Sequence, residues 1–181
     1  MSIDPSSRKI ISLPLSREEA RELRAGELLF LRGTLYTARD AAHKRIVEAM
    51  ENGESLPFEL ENCAIYYAGP CPAKPGCIIG SAGPTTSGRM DAYAPSLISH
   101  GQTVMLGKGL RRQEVIDAMK EYGAVYLGAT GGAGALLSQR IVASEIIAYP
   151  DLLAEAVRKI EVYDFPAIVL IDSFGTSLYD R

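Results

Sequence analysis

Two rhythms of apolar and polar residues run along this chain, short apolar runs and helical stripes. Ile10 to Leu15 is a short apolar run, and Ser16-Arg17-Glu18-Glu19 has the spacing of a capping box. A helix is predicted to open there and to close at Gly26. Leu28 to Tyr36 reads as a strand. From about Ala38, the residues His43, Ile46, Val47 and Met50 fall at i, i+3, i+4 and i+7, which predicts a second helix ending at Gly53. Between Glu54 and Gly88 the rhythm breaks. Pro57, Pro70, Pro72, Pro75 and Pro84 arrive with several glycines and frame short strands at Ala64–Ala68 and Cys77–Ile79. Alternation then resumes, with a buried strand at Thr103–Leu106, a helix over Arg111–Tyr122 and a strand at Ala124–Leu127. Ala133–Ile147 reads as helical, and Ile160–Val162 and Ala167–Ile171 as strands separated by a turn at Phe165-Pro166.

Strands interleaved with helices predict an α/β fold, a single domain over residues 1–181 with a largely parallel or mixed central sheet. The proline-rich middle predicts a second, irregular or antiparallel layer. The chain has 181 residues, 47% apolar and 23% charged, enough to bury a core and ordinary for a globular protein. A net charge of −3 argues against a nucleic-acid partner, which needs a basic face. Residues 141–153 come closest to a long apolar run, but Ser144, Glu145, Pro150 and Asp151 interrupt them, so no membrane span is expected. Met1 to Arg8 lack the apolar core of a signal peptide, and the reading is cytoplasmic. Cys63, Cys71 and Cys77 suit a reducing compartment. Seven and five residues separate them, with no Cys-x2-Cys element, so small structural thiols are expected and no metal ligands.

The chemistry concentrates at glycine-rich junctions. Gly83-Pro84-Thr85-Thr86-Ser87-Gly88-Arg89-Met90-Asp91 combines backbone that a ligand can approach, three hydroxyls and an arginine able to grip a carboxylate through two parallel bonds. A helix starting near Gly88 would add anion-favouring amides, and the bland reading is a polar surface turn. Arg39 and His43 stand at i and i+4 near a strand-to-helix junction, where they would share one helix face. His43 also begins the apolar stripe, so a structural histidine is the alternative. His100, before Gly101, reads as a capping side chain at a helix end. Lys108 lies between Gly107 and Gly109 directly after a predicted strand, where α/β sheets tend to bind ligands. Gly128-Ala129-Thr130-Gly131-Gly132-Ala133-Gly134 is a second strand–glycine–helix junction and matches no dinucleotide fingerprint. Two arginines and a lysine at such junctions point to a small dianionic ligand.

These motifs resemble the iron–sulfur fumarate hydratases of class I and the related L-tartrate dehydratases. The resemblance is carried by Gly33-Thr34-Leu35 with Ala38-Arg39-Asp40-Ala41-Ala42-His43, by Gly83 to Asp91, and by Gly107-Lys108-Gly109 and Gly131-Gly132. Lys159 to Val162 and Phe165-Pro166-Ala167 extend it, so that it runs from about Leu13 to Gly175. It implies a three-layer swivelling β/β/α domain, equivalent to the C-terminal domain of a long fumarase or to a separate β subunit. It implies a 4Fe–4S cluster carried by a partner α subunit, with none bound by this chain alone, in a hetero-oligomer such as α2β2. Arg39, Arg89 and Lys108 then resemble ligands of the substrate carboxylates and hydroxyl, with Gly83 and Thr86 beside them. Thr85 matches a threonine proposed to assist proton transfer, and His43 a histidine treated as catalytic in tartrate-dehydratase-like β subunits. Two proton-transfer candidates leave their division of labour open. The implied reaction is reversible hydration of fumarate to malate, the open iron acting as Lewis acid. Dehydration of L(+)-tartrate is the alternative, and a non-catalytic dicarboxylate-binding module the second.

Overall fold

The computed structural model describes residues 9–129 and 134–180. The N-terminal octapeptide and Gly131-Gly132 lie outside the described residues. Among the described residues seven strands form one mixed sheet with helices against it: β1 (Lys9–Leu13), β2 (Leu28–Thr37), β3 (Ala64–Tyr66), β4 (Val104–Gly107), β5 (Val125–Ala129), β6 (Ile141–Ala148) and β7 (Val157–Ile171). The helices are α1 (Arg17–Ala20), α2 (Asp40–Glu51), α3 (Ala94–Ser99), α4 (Gln113–Tyr122) and α5 (Gly134–Ser138).

Two long strands close the sheet on itself. β2 to β5 run parallel in the order β2-β3-β4-β5, and β7 pairs antiparallel with both β5 and β2. The circuit β2-β3-β4-β5-β7-β2 is therefore a barrel, a closure that the expected three-layer arrangement did not contain. β1 flanks the first half of β2, and β6 flanks the first half of β7. Inside the ring, Leu29, Leu31, Leu35, Tyr66, Val104, Leu106, Val125, Leu127, Phe165 and Val169 form one buried apolar cluster. The neighbouring positions Ile65, Tyr67, Met105 and Tyr126 point outward into a second cluster, beneath Ala42 and Ile46 of α2, Leu97 of α3 and Val115 of α4. This is the period-2 alternation of strands buried on both faces.

Several expectations change. The capping box forms, with Glu19 N donating to Ser16 Oγ at 3.2 Å and Ser16 N to Glu19 Oε2 at 2.9 Å. The helix it opens lasts a single turn and stops well before Gly26: past Arg21 the backbone bonds tighten to i−3, Glu22 N to Glu19 O and Leu23 N to Ala20 O, and Arg24 N then turns to the Glu27 carboxylate at 2.8 Å. Residues 134–147 are no single helix: α5 ends at Ser138 and β6 follows. β6 is an edge strand exposed on both faces over much of its length, so its sequence shows no alternation to betray it. Phe165-Pro166 is no turn, since β7 runs through it. The strand accommodates Pro166 between its β6 pairing, which ends at Val162, and its β5 pairing, which begins at Ala167, so that flank needs no N–H there. One extra residue is absorbed at a bulge beside it, where Asp164 has φ 50° and its carboxylate accepts from Arg32 Nε at 2.7 Å. Cys77–Ile79 is irregular, part of the loop between β3 and the segment 84–87. Among the described residues no helix is long and apolar enough to cross a membrane.

Candidate active site

Four parallel strands deliver their carboxyl ends to one edge of the barrel, and the predicted site segments leave from that edge. The segment 84–87 is laid across it. Pro84 bridges Ala68 after β3, and Thr85 N donates to Tyr67 O at 2.6 Å. Thr86 bridges Lys108 after β4, and Ser87 N donates to Lys108 O at 2.9 Å. The motif and Lys108, about twenty residues apart in sequence, are thus one surface. Gly107 permits this: a Cβ there would run into Ser87 Oγ and stand 2.9 Å from the Tyr67 ring.

Arg89 sits in a single 3-10 turn, Ser87–Met90, where the helix expected from Gly88 would have been longer. Its side chain is exposed, as are Thr86 and Lys108, while Thr85 is half-buried. Among the described residues neither Arg89 nor Lys108 makes an ion pair with an acidic side chain. Two exposed cations without acidic partners, next to hydroxyls and backbone amides, can hold carboxylates. Arg39 approaches from β2. It is the extended N-cap residue of α2, so it shares no helix face with His43, contrary to expectation. Its guanidinium runs along Gly69, where a Cβ would lie 3.0 Å from Nη1, and Glu155 and Asp40 stand 3.6 and 3.8 Å from Nε. That nitrogen is buried without a hydrogen bond. Gly83 packs against Gly134 at the far side of the segment, with Ala82 N donating to Gly134 O at 3.2 Å.

His43 is set behind this surface. Its ring is wholly buried, Nδ1 donates to Arg39 O at 2.9 Å, and Nε2 has no partner. Tyr67 meets it edge-on, centroids 5.3 Å apart, and Tyr93 lies at 6.3 Å. Burial lowers its pKa to about 4, the Arg39 carbonyl opposing and the Arg111 charge assisting, so the imidazole is neutral at pH 7. The other expected histidine role is met: His100 caps α3, its Nδ1 2.7 Å from Ser96 O.

Sequence reasoning missed Arg111 and gave Asp91 no part. Arg111 Nε donates to Asp91 Oδ1 at 2.7 Å, both side chains being fully enclosed, and Arg112 N donates to Asp91 Oδ2 at 2.8 Å. The Arg111 guanidinium stands 5.3 Å from the Tyr67 ring centroid and 4.9 Å from that of Tyr126. The available signal was a charged residue closing each glycine-rich segment, Asp91 the first and Arg111 the second.

Cys63 is buried, with its thiol pushed up by burial and so protonated, while Cys71 and Cys77 are exposed. Among the described residues no three His, Cys, Asp or Glu side chains are placed to hold a metal ion. An iron–sulfur cluster does not fit these residues.

Residues 4–181 match the family described as Fumarase C-terminus. Fumarate hydratase 2 of Leishmania major is 44% identical over 167 residues, covering 91% of this chain and 29% of that protein. Fumarate hydratase class I, aerobic, of Escherichia coli K12 is 46% identical over 155 residues, 84% of this chain and 28% of the enzyme. A putative L(+)-tartrate dehydratase subunit beta of Methanocaldococcus jannaschii is 38% identical over 173 residues, 92% of this chain and 89% of the subunit. The chain therefore spans under a third of these two fumarate hydratases and most of the archaeal subunit.

Proposed function

Because this chain belongs to the fumarase C-terminus family, we propose that it is the β subunit of a 4Fe–4S hydro-lyase interconverting fumarate and malate in the cytoplasm. The observation that carries the reading is the joining of Thr86 to Lys108 across the strand ends, which sets Thr85, Arg89 and Lys108 on one surface. Its cationic groups match a dicarboxylate, Arg39 from one side, Arg89 and Lys108 from the other. Thr86 and the backbone at Gly83 line the approach.

In this proposal the cluster, a Lewis acid for the departing hydroxyl, resides on an α subunit in an assembly such as α2β2. This chain binds the substrate and handles the proton. Arg89 and Lys108 neutralise the charge that builds on the carboxylate as the neighbouring carbon loses its proton. Thr85 takes part in moving that proton. Its hydroxyl is a weak base and depends on the nearby cations. His43, enclosed behind Tyr67 and tied to the Arg39 carbonyl, supports the arginine rather than reaching substrate. The fold is read within the same proposal as a three-layer swivelling domain, the two walls of the ring as two layers and α2 to α4 as the third.

A second reading, the β subunit of an L(+)-tartrate dehydratase, is favoured by the match over most of the archaeal subunit. The test is turnover by the chain assembled with its cluster-bearing partner, measured as kcat/KM for fumarate, malate and L(+)-tartrate. Preference for fumarate and malate is expected. Preference for tartrate selects the second reading, and no turnover of any of them rejects both.

A further inference from the structure

We propose that Asp91 and Arg111 are positioning residues for the substrate clamp, their buried ion pair joining the turn that carries Arg89 to the loop that carries Lys108. The inference rests on the function proposed above and assigns it two residues that do not touch substrate.

The turn Ser87–Met90 has four residues and no side-chain cap at its start. A 3-10 turn of that length holds its own geometry poorly, so the direction of Arg89 is set from outside it. At the front, Ser87 N is bonded to Lys108 O, and the Tyr126 hydroxyl bridges Ser87 Oγ and Gly109 O, 2.9 Å from each. At the back, the Asp91 carboxylate takes one bond from the Arg111 side chain and another from the Arg112 backbone, 2.7 and 2.8 Å. Both ends of the turn are therefore fastened to the exit of β4. The Arg111 guanidinium also stands beside the rings of Tyr67 and Tyr126, and Tyr67 O is the acceptor for Thr85 N. Thr85, Arg89 and Lys108 hang from one frame, and the Asp91–Arg111 pair is its rear fastening.

Stability alone accounts poorly for this pair. Two charges taken out of water are often replaceable by apolar side chains without loss. What a two-pronged carboxylate contact supplies that apolar side chains do not is a fixed orientation.

The test separates orientation from stability. Asp91→Asn alone leaves an uncompensated buried charge and is expected to unfold. The informative variant is Asp91→Leu with Arg111→Met, which removes both charges and keeps apolar packing, studied in the complex with the cluster-bearing partner. A wild-type melting temperature is expected. Alongside it, kcat/KM should fall by about 100-fold, as small misplacements in a site do, and Kd for succinate, a non-reacting dicarboxylate, should rise about tenfold, the loss of one charged hydrogen bond. Arg111→Lys keeps the charge, loses the fork, and should fall between. It decides the question if the double variant does not fold. Wild-type turnover and succinate affinity in whichever of these variants folds would overturn the positioning role alone. A wild-type complex that neither turns over nor binds dicarboxylates would overturn the functional reading along with it.

Discussion

The two faces of strands β3, β4 and β5 share one backbone and have opposite chemistry. Inward, Ala64, Tyr66, Val104, Leu106, Val125 and Leu127 fill the barrel, and Tyr66 alone brings a polar atom, its hydroxyl bonded to Ala82 O at 2.6 Å. Outward, Tyr67, Met105 and Tyr126 face the helices together with His43, Asp91, Gln102 and Arg111, a layer dense in polar groups. His43 Nε2 is buried there without a hydrogen bond. The inner face gives the molecule its shape. The outer face, at the strand ends, carries the groups that are proposed above to aim the site, and burying polar groups there has a cost that an apolar layer would not bear. Substitutions on the two faces should therefore fail differently.

The largest effect is expected at the site itself. Thr85→Val keeps volume and removes the hydroxyl, so kcat should fall by about 10²- to 10⁴-fold if that hydroxyl moves a proton. A loss confined to KM would instead make Thr85 a binding group. Steady-state rates in both directions, with iron content confirmed, decide it. On the inner face, Leu31→Ala should destabilise the fold by about 2–5 kcal/mol in urea titrations, because Leu31 is fully buried. The folded fraction should keep wild-type kcat/KM. Lost activity at full folding would break the separation of the faces.

The outer face has a pH dependence of its own. His43 has a pKa of about 4 in the folded chain against about 6.5 when unfolded. Below pH 6.5 the unfolded chain binds a proton that the folded one refuses. Stability is therefore complete above that pH, declines toward pH 4 and levels off below it. The difference amounts to roughly 3 kcal/mol. Urea unfolding between pH 7 and pH 4 should show the decline in wild type and lack that part of it in His43→Gln. The smallest effect belongs to the exposed rim. Arg89→Lys keeps charge and loses the bidentate fork, so kcat/KM should fall by about tenfold or more, since a charged hydrogen bond is worth roughly 1.5–3 kcal/mol. An unchanged value would return Arg89 to a solvated turn.

The division between the faces also explains what the sequence revealed. α2 was legible because His43, Ile46, Val47 and Met50 repeat at helical spacing; its buried residues are Ala42, His43, Ile46 and Ala49, with Val47 and Met50 half-buried beside them. The strands β2 to β5 were legible as apolar runs, those of β3 to β5 with glycines at or just past their ends. β6 was misread because an edge strand with both faces partly exposed has no alternation. Its β-branched Ile141, Val142, Ile146 and Ile147 were the remaining signal. Pro166 resembled a turn because the gap between two partner strands is a property of pairing, invisible along one chain. In the site, the glycine-rich segments were legible and their junction was not. Nothing in local pattern says that Thr86 bridges Lys108 or that Asp91 meets Arg111. Arg111 read as the polar start of a helix, and only its burial shows otherwise.

In the function proposed above, this chain supplies the substrate clamp and proton handling to a hydro-lyase whose cluster lies on a partner. The most direct measurement compares iron, sulfide and fumarate hydration for the purified chain alone and assembled with the α subunit. The expected result is a colourless, inactive chain that gains both cluster and turnover only in the complex. Stoichiometric iron and sulfide on the isolated chain, with hydration at the rate of the complex, would contradict it.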